Sequence, residues 1–225
     1  MDLDTIKNAR PTPLSIYEML ESRFGFQGWW PGRSNLEILV GAMLTQQTSW
    51  RNADKALRNL RKAGSLNLNA IANSNLRELG ALIKPSGYYR QKAVRLKAVC
   101  NYIRDRHSTL RRFLHVDADA LRAELLSMRG IGEETADSII LYAADKPAFV
   151  IDAYTKRVIR RVFGIKEDLG YKQLQNYFQG GLAENVGLYK DFHAQIVELG
   201  KRYCMAKPVC VGCPLFKACR YGKSR

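Results

Sequence analysis

The sequence of 225 residues predicts an all-α protein. Apolar residues recur at helical spacing along most of the chain, most clearly in residues 36–44, and a period of 3.6 residues marks an amphipathic or buried helix. Strand-like alternation is almost absent. The one β-like run, 148–151, is too short to found a sheet. These three observations favour a helical architecture over any β-sheet architecture.

The predicted helices follow one another with short connections. They are expected at 16–24, 36–44, 53–60, 75–84, from 91 onward, and at 118–128, 134–144, 154–163, 171–179 and 188–203. Gly64 is placed to cap the third helix, and Pro85, Ser86 and Gly87 separate the fourth helix from the fifth, because glycine and proline favour helix ends. No internal repeat interrupts this series.

The charge balance points to a polyanionic partner. The chain carries 36 Lys and Arg against 21 Asp and Glu, a formal charge of +15. Clustered cations release counterions from phosphates and steer encounter, so nucleic acid is the first expected partner. No apolar run approaches the roughly 20 residues that span a bilayer, and the polar opening segment is unlike a signal peptide. We therefore expect an intracellular protein with no membrane partner.

A glycine-rich turn, Arg129-Gly130-Ile131-Gly132, lies between two predicted helices and indicates an αα-hairpin. The backbone N–H groups and the macrodipole at the start of the second helix favour an anion, so a DNA phosphate can bind there. The alternative is an ordinary helix connection, in which Glu133 and Glu134 stabilise the helix N-terminus.

Four cysteines crowd into the C-terminal region with the spacing C-x6-C-x2-C-x5-C: Cys204, Cys210, Cys213 and Cys219. Four thiolates within this span can ligate a single ion or cluster. Structural zinc sites usually have two close pairs, whereas this stretch has one pair and two wider arms, so the residues alone leave the metal open. Cys100, on an apolar helix face, is predicted to pack in the core.

The hairpin, the apolar pair that precedes Asp152 and the cysteine stretch together resemble the helix-hairpin-helix DNA glycosylases of the endonuclease III superfamily, over residues 36–219. The segments WWP, LTQQTSW and GIGEETAD resemble most the iron-sulfur 3-methyladenine DNA glycosylases. The resemblance implies two helical lobes with a DNA groove between them. One is a six-helix barrel with the hairpin at 34–147; the other combines 1–33 and 148–225 and ends in a [4Fe-4S] loop held by the four cysteines.

The resemblance also implies catalytic roles. Asp152 matches the family carboxylate that stabilises an oxocarbenium-like state and orients water, although Asp is also a good helix N-cap. Bifunctional members carry a nucleophilic lysine eighteen residues before this position, where this chain has Glu134. A carboxylate cannot form an imine, so we expect no lyase activity. Glu134 either positions water or only favours the helix N-terminus.

Further residues are assigned to the base and to the duplex by the same resemblance. Trp30, Pro31 and Trp50 are expected in the base pocket, with a core position as the alternative for Trp50. Gln47 and Tyr88 match the residues that enter the duplex, and Arg129, Gly130 and Gly132 bind the phosphate backbone.

The implied function is a monomeric, monofunctional DNA N-glycosylase that flips alkylated purines of the 3-methyladenine type out of damaged double-stranded DNA, in the cytoplasm at the nucleoid. The alternatives are a glycosylase for uracil or thymine mismatches or for oxidised pyrimidines, and a noncatalytic iron-sulfur DNA-binding protein.

Overall fold

The computed structural model describes residues 11–30 and 32–224. Within them no β-strand occurs, which confirms the all-α prediction, and no helix has the length and apolar character needed to cross a membrane. The helices are α1 (Pro13–Phe24), α2 (Asn35–Leu44), α3 (Trp50–Lys62), α4 (Leu68–Asn73), α5 (Leu76–Leu82), α6 (Tyr89–His107), α7 (Leu110–His115), α8 (Ala118–Ser127), α9 (Glu133–Ser138), α10 (Ala153–Phe163), α11 (Tyr171–Gly180), α12 (Val186–Arg202) and α13 (Arg220–Lys223). A π-helical segment, Ile139–Ala143, continues α9, and 3-10 turns lie at Lys84–Ser86 and Phe216–Ala218.

The chain forms two compact helical units. One comprises the described residues of Met1–Trp30 and Pro147–Arg225, and the other those of Pro31–Lys146. We refer to them as the terminal unit and the central unit. The central unit contains the six helices expected from the sequence, namely α2, α3, α5, α6, α8 and α9, and the short helices α4 and α7 in addition.

Helix α2 is the core of the central unit. Its residues from Glu37 to Leu44 are all buried, and it packs against α3, α6, α9 and the π-helical segment. Ser34 caps its N-terminus by accepting a hydrogen bond from the Glu37 N–H. The buried Glu37 carboxylate pairs with Arg61 of α3 at 2.5 Å, so its charge is compensated. Cys100 of α6 is fully buried, as predicted.

The helix expected at 134–144 differs from the prediction. It begins as α9 but widens into a π-helix at Ile139, where the Ala144 N–H donates to a carbonyl five residues earlier. The Ser138 hydroxyl donates to the Glu134 carbonyl at 2.6 Å, and such back-bonding bends helices and competes with the regular ladder. Helices α4 and α7 were not predicted because six residues are too few to show a helical period.

The terminal unit is built around an aromatic cluster. Phe149 stacks on Phe178 of α11 with ring centroids 4.2 Å apart, and Phe192 of α12 meets both rings edge-on at about 5.5 Å. All three rings are fully buried. This cluster fixes the chain three residues before Asp152, so the core packing directly supports the candidate catalytic position.

Candidate active site

Asp152 is the N-cap of α10. Its Oδ1 accepts hydrogen bonds from the Thr155 N–H at 2.7 Å and from the Thr155 hydroxyl at 2.9 Å. Its other oxygen, Oδ2, lies 3.6 Å from Nε2 of the buried His193 on α12. The cap therefore uses one carboxylate oxygen, and the second oxygen faces a group that carries positive charge when protonated.

These neighbours decide the ionisation of Asp152. Burial is the largest influence and by itself raises the pKa of the carboxyl group, but His193 and the two Thr155 donors together outweigh it. The net effect is a pKa below the ordinary Asp value of 3.8. The side chain is thus a carboxylate at neutral pH, with 13% of its surface still exposed.

Among the described residues, the segment 147–152 that leads to Asp152 has no strand partner. Side chains of α11 take the place of a neighbouring strand. The Phe149 N–H donates to Gln179 Oε1 at 3.1 Å, Gln175 Nε2 donates to the Phe149 carbonyl at 3.0 Å, and the Ile151 N–H donates to the Tyr171 hydroxyl at 3.3 Å. Helix α11 therefore positions Asp152, the candidate catalytic residue, from a distance in sequence.

Helices α10 and α12 approach closely because Gly200 has no side chain. A Cβ at this position would collide with the ring of Tyr154 on α10. Arg157 covers that ring, with its guanidinium carbon 5.0 Å from the ring centroid, and donates to the Cys204 carbonyl at 2.7 Å. This contact holds the helix that Asp152 caps against the helix that carries His193.

Aromatic side chains extend from His193. The Trp29 ring lies 5.8 Å from the imidazole and 5.3 Å from the Trp30 ring, centroid to centroid. The Lys201 ammonium lies 5.7 Å from the Trp29 ring centroid. Trp30 is half-buried, and Pro31 lies outside the described residues. The structure therefore joins the predicted Trp30 to the Asp152 region through two residues that were not predicted.

A buried carboxylate holds the loop that carries these tryptophans. Asp191 accepts hydrogen bonds from the Gln27 N–H at 2.7 Å and from the Tyr17 hydroxyl at 3.0 Å. Gln195 donates both to Asp191 and to the Gly25 carbonyl. These bonds fix the chain between α1 and Trp29 onto α12.

In the central unit, the glycine hairpin is anchored by an amide. Gly130 has a φ of +93°, a conformation that only glycine adopts readily, and a Cβ there would collide with Arg95. Gln46 Nε2 donates to the Gly130 carbonyl at 2.8 Å and to the Thr135 hydroxyl at 2.9 Å. Gly132 is the exposed N-cap of α9, so its neighbouring N–H groups are accessible to an anion.

The acidic residues of α9 differ in their surroundings: some pair with Arg122, whereas Glu134 is exposed. Arg122 forms a bidentate pair with the buried Asp137, at 2.7 and 3.2 Å, and lies 3.6 Å from Glu133. Glu134 is exposed in the first turn of α9, where a negative charge favours the helix dipole. Arg129 is also exposed. Glu134 belongs to the central unit and Asp152 to the terminal unit.

The two residues predicted to enter the duplex share an unusual backbone. Gln47 has φ +53° and Tyr88 has φ +44°, the left-handed region that costs a non-glycine residue roughly 1–2 kcal/mol. Both side chains are exposed, Tyr88 by 64%. Trp50 differs, since it is half-buried and its ring lies against Gly41 of α2. Its contact with α2 supports the packing alternative for this residue.

The four C-terminal cysteines are neighbours in the terminal unit. Burial is the main cause that raises the pKa of Cys213 to about 11, with smaller contributions from the other three cysteines. Arg161 donates to the Cys204 sulfur at 3.3 Å, and its carbonyl accepts from the Cys219 thiol at 3.4 Å. Among the described residues no three His, Cys, Asp or Glu side chains form a metal-binding group, so the cluster stays a prediction.

A basic cavity of about 970 Å³ opens beside the cysteine loop. Its cationic lining comes from α10, from the segment that follows it and from α13: Lys156, Arg157, Arg160, Arg161, Lys166 and Arg220. Such a surface suits phosphate groups.

Comparison with known proteins identifies the family. Residues 40–184 match the model of the HhH-GPD superfamily base excision DNA repair proteins. The chain belongs to this superfamily. The Methanocaldococcus jannaschii protein named "Putative DNA repair glycosylase MJ1434" is 42% identical over 91% of this chain and 94% of its own length. The thymine/uracil-DNA glycosylase of Pyrobaculum aerophilum is 30% identical over 79% of this chain and 76% of its own.

A solved structure gives the same result. The Helicobacter pylori 3-methyladenine DNA glycosylase MagIII, bound to 1,N6-ethenoadenine, is 32% identical, with a TM-score of 0.75 over 85% of this chain and 98% of its own. The resemblance to the endonuclease III superfamily and to its 3-methyladenine type is confirmed, and the chain is a DNA glycosylase of base excision repair.

In this HhH-GPD glycosylase, sequence reasoning missed several residues that contact the predicted site. His193, Trp29 and Thr155 surround Asp152 and Trp30, and Gln46 anchors the hairpin. The inward face of α12 held one usable signal: His193 shares the helical spacing of the buried Ile196 and Gly200, which predicts burial of a titratable group. Contacts between residues distant in sequence, such as that of Gln46 with Gly130, leave no local sequence pattern.

Proposed function

We propose that this glycosylase is monofunctional and removes alkylated purines of the 3-methyladenine type from double-stranded DNA, acting as a monomer. The observation that carries the proposal is the ionised Asp152 carboxylate, which is held by Thr155 and His193 in the unit that also carries Trp29 and Trp30.

The proposed reaction uses the carboxylate on the sugar. As the N-glycosidic bond breaks, positive charge develops on the deoxyribose, and a fixed carboxylate in a partly desolvated site stabilises that charge. Asp152 Oδ1 is committed to the cap, so Oδ2 is the oxygen that faces the sugar or takes a proton from water. When it is protonated, His193 favours the ionised form of this oxygen.

The leaving group explains why one carboxylate suffices. An alkylated purine such as 3-methyladenine is cationic, and the faces of Trp30 and its neighbours attract a cation by roughly 0.5–2 kcal/mol. The same charge makes the base a good leaving group, so no strong general acid is needed. Among the described residues, the polar partners of the Asp152 side chain are His193 and Thr155.

The proposed lack of lyase activity depends on Glu134. A carboxylate at this position cannot attack the sugar carbon to form an imine, and in the structure it lies exposed in the first turn of α9. We assign Glu134 to water positioning or to the helix dipole, and not to nucleophilic attack.

We further propose that Cys204, Cys210, Cys213 and Cys219 ligate a [4Fe-4S] cluster. The donor chemistry fits, because all four are thiols, they influence each other's ionisation, and backbone N–H groups of Leu215, Tyr221 and Gly222 reach the sulfurs of Cys213 and Cys219. Such N–H groups stabilise ligating sulfur. A cluster ligated by four cysteines has no open position for substrate, so its role is to order the loop.

Three measurements test the proposal. Purified protein is incubated with duplexes that carry 3-methyladenine, 1,N6-ethenoadenine, uracil or thymine opposite guanine, and an oxidised pyrimidine, and base release is followed over time. Release of only pyrimidines rejects the substrate class. Borohydride trapping of a covalent DNA adduct rejects the absence of a lyase. About four iron and four sulfide per chain support the cluster, whereas zinc without iron refutes it.

One observation favours a second candidate, a uracil or thymine glycosylase for mismatched duplexes. The relative from Pyrobaculum aerophilum with that name is 30% identical to this chain. The mismatch duplexes in the same panel distinguish the two candidates, because an alkylpurine enzyme leaves them intact.

A further inference from the structure

One buried ammonium joins the ends of two segments in the central unit. Lys92 of α6 is only 5% exposed. Its Nζ donates to the carbonyl of Leu44, the last residue of α2, at 2.8 Å, and to the carbonyl of Ser86, the last residue of a 3-10 turn, at 2.7 Å. Carbonyls at the C-terminus of a helix lack helical partners and carry the negative end of the dipole, so a cation suits both.

Both segments lead directly to an exposed, left-handed residue. Gln47 follows Leu44 by three positions and Tyr88 follows Ser86 by two. Their φ values of +53° and +44° are unfavourable for these side chains, and such conformations persist only where the surroundings determine them. Lys92 supplies such a determinant, because its buried ammonium bonds the carbonyls of Leu44 and Ser86, from which the chain continues to Gln47 and Tyr88.

The nature of the contact explains the choice of lysine. Burial and, to a smaller extent, the charge of Arg95 lower the pKa of Lys92 to about 8, so keeping this ammonium inside is unfavourable in itself. A methionine fills the same space without that penalty but leaves two buried carbonyls without donors. The lysine is therefore explained by the link between the two carbonyls and not by packing.

We propose that Lys92 is a positioning residue for base extrusion: its ammonium sets the spacing between the Gln47 and Tyr88 turns, so that both side chains enter the duplex together. The inference rests on the proposed glycosylase function and deepens it. Lys92 itself stays buried and acts through the two turns.

The test compares two lysines of the same helix. Lys97 is half-buried, and its Nζ donates to the Ser74 carbonyl at 2.6 Å, so Lys97→Met removes a similar bond away from the two turns. Wild type, Lys92→Met and Lys97→Met are added to a duplex that carries a stable abasic analogue with 2-aminopurine opposite it. Insertion of side chains at the abasic position unstacks the 2-aminopurine and raises its fluorescence.

We expect the fluorescence rise for wild type and Lys97→Met and its loss for Lys92→Met. Single-turnover excision from a fully paired duplex should fall about 10- to 100-fold for Lys92→Met, the scale of a misplaced group. Excision of the same lesion placed opposite an abasic site, where extrusion is easy, should stay near the wild-type rate. In a background that carries both Gln47→Ala and Tyr88→Ala, Lys92→Met should add little further loss, because both inserting side chains are already absent.

Two results overturn the proposal: an unchanged fluorescence rise in Lys92→Met, or an equal loss of excision from the paired and unpaired lesions. If Lys92→Met does not fold, Lys92→Gln is tested in its place. The shorter amide cannot reach the carbonyls of both Leu44 and Ser86, so most of the fluorescence rise should be lost. A full fluorescence rise in Lys92→Gln refutes the role of Lys92. The fluorescence measurement does not require base release. If the protein has no glycosylase activity, the excision panel fails, but the fluorescence still shows whether Lys92 positions the two side chains.

Discussion

Replacing Asp152 with Asn isolates the charge of the carboxylate. Asn keeps the Oδ1 atom that accepts the Thr155 N–H and hydroxyl, and Asn and Asp are equally good N-caps. The free energy of unfolding should therefore change by less than about 1 kcal/mol. The charge is lost, however, and with it the attraction for the developing cation on the sugar.

The expected loss of electrostatic stabilisation follows from the distance between the charges and their burial. For a partly buried pair about 4 Å apart, an effective dielectric constant of about 20 gives roughly 4 kcal/mol, or about a 1,000-fold slower reaction. The assay is single-turnover base release from a lesion duplex, with fluorescence anisotropy for binding. Binding should be nearly unchanged. Release by Asp152→Asn at the wild-type rate would remove Asp152 from the mechanism.

Three further outcomes are expected. His193→Asn removes the side chain that lowers the Asp152 pKa, so the acid limb of the excision pH–rate profile should move to higher pH; an unmoved limb refutes the pairing. Gly130→Ala forces alanine into a φ of +93° against Arg95, and thermal unfolding should show a loss of about 1–3 kcal/mol, with no loss if the turn relaxes freely. Lys156→Gln, in the basic cavity, should reduce the slope of log K against log salt by about 0.9 if that lysine neutralises one phosphate; an equal slope removes it from the DNA surface.

Much of the fold follows from local pattern. The burial of Leu39, Val40, Met43, Leu44 and Cys100 follows from helical spacing, and the cap role of Asp152 follows from an acid placed just before a helix. The hairpin glycine has the positive φ that such a turn requires. These features depend on residues close in sequence, where periodicity and backbone sterics act directly.

Features set by distant partners could not be predicted. In the sequence, Lys92 is one more cation of a basic helix. Its burial depends on two carbonyls, one of them 48 positions away. The proximity of His193 to Asp152 likewise depends on the close packing at Gly200.

The hydrogen bonds from glutamine side chains of α11 to Phe149 have a consequence for engineering. Because Gln175 and Gln179 bond both backbone groups of Phe149, the position of Asp152 depends on side-chain rotamers of residues more than twenty positions downstream. Engineering of the lesion range should therefore vary the loop that carries Trp29 and Trp30 and leave α11 unchanged. Loss of a glutamine of α11 would shift Asp152 without changing that loop.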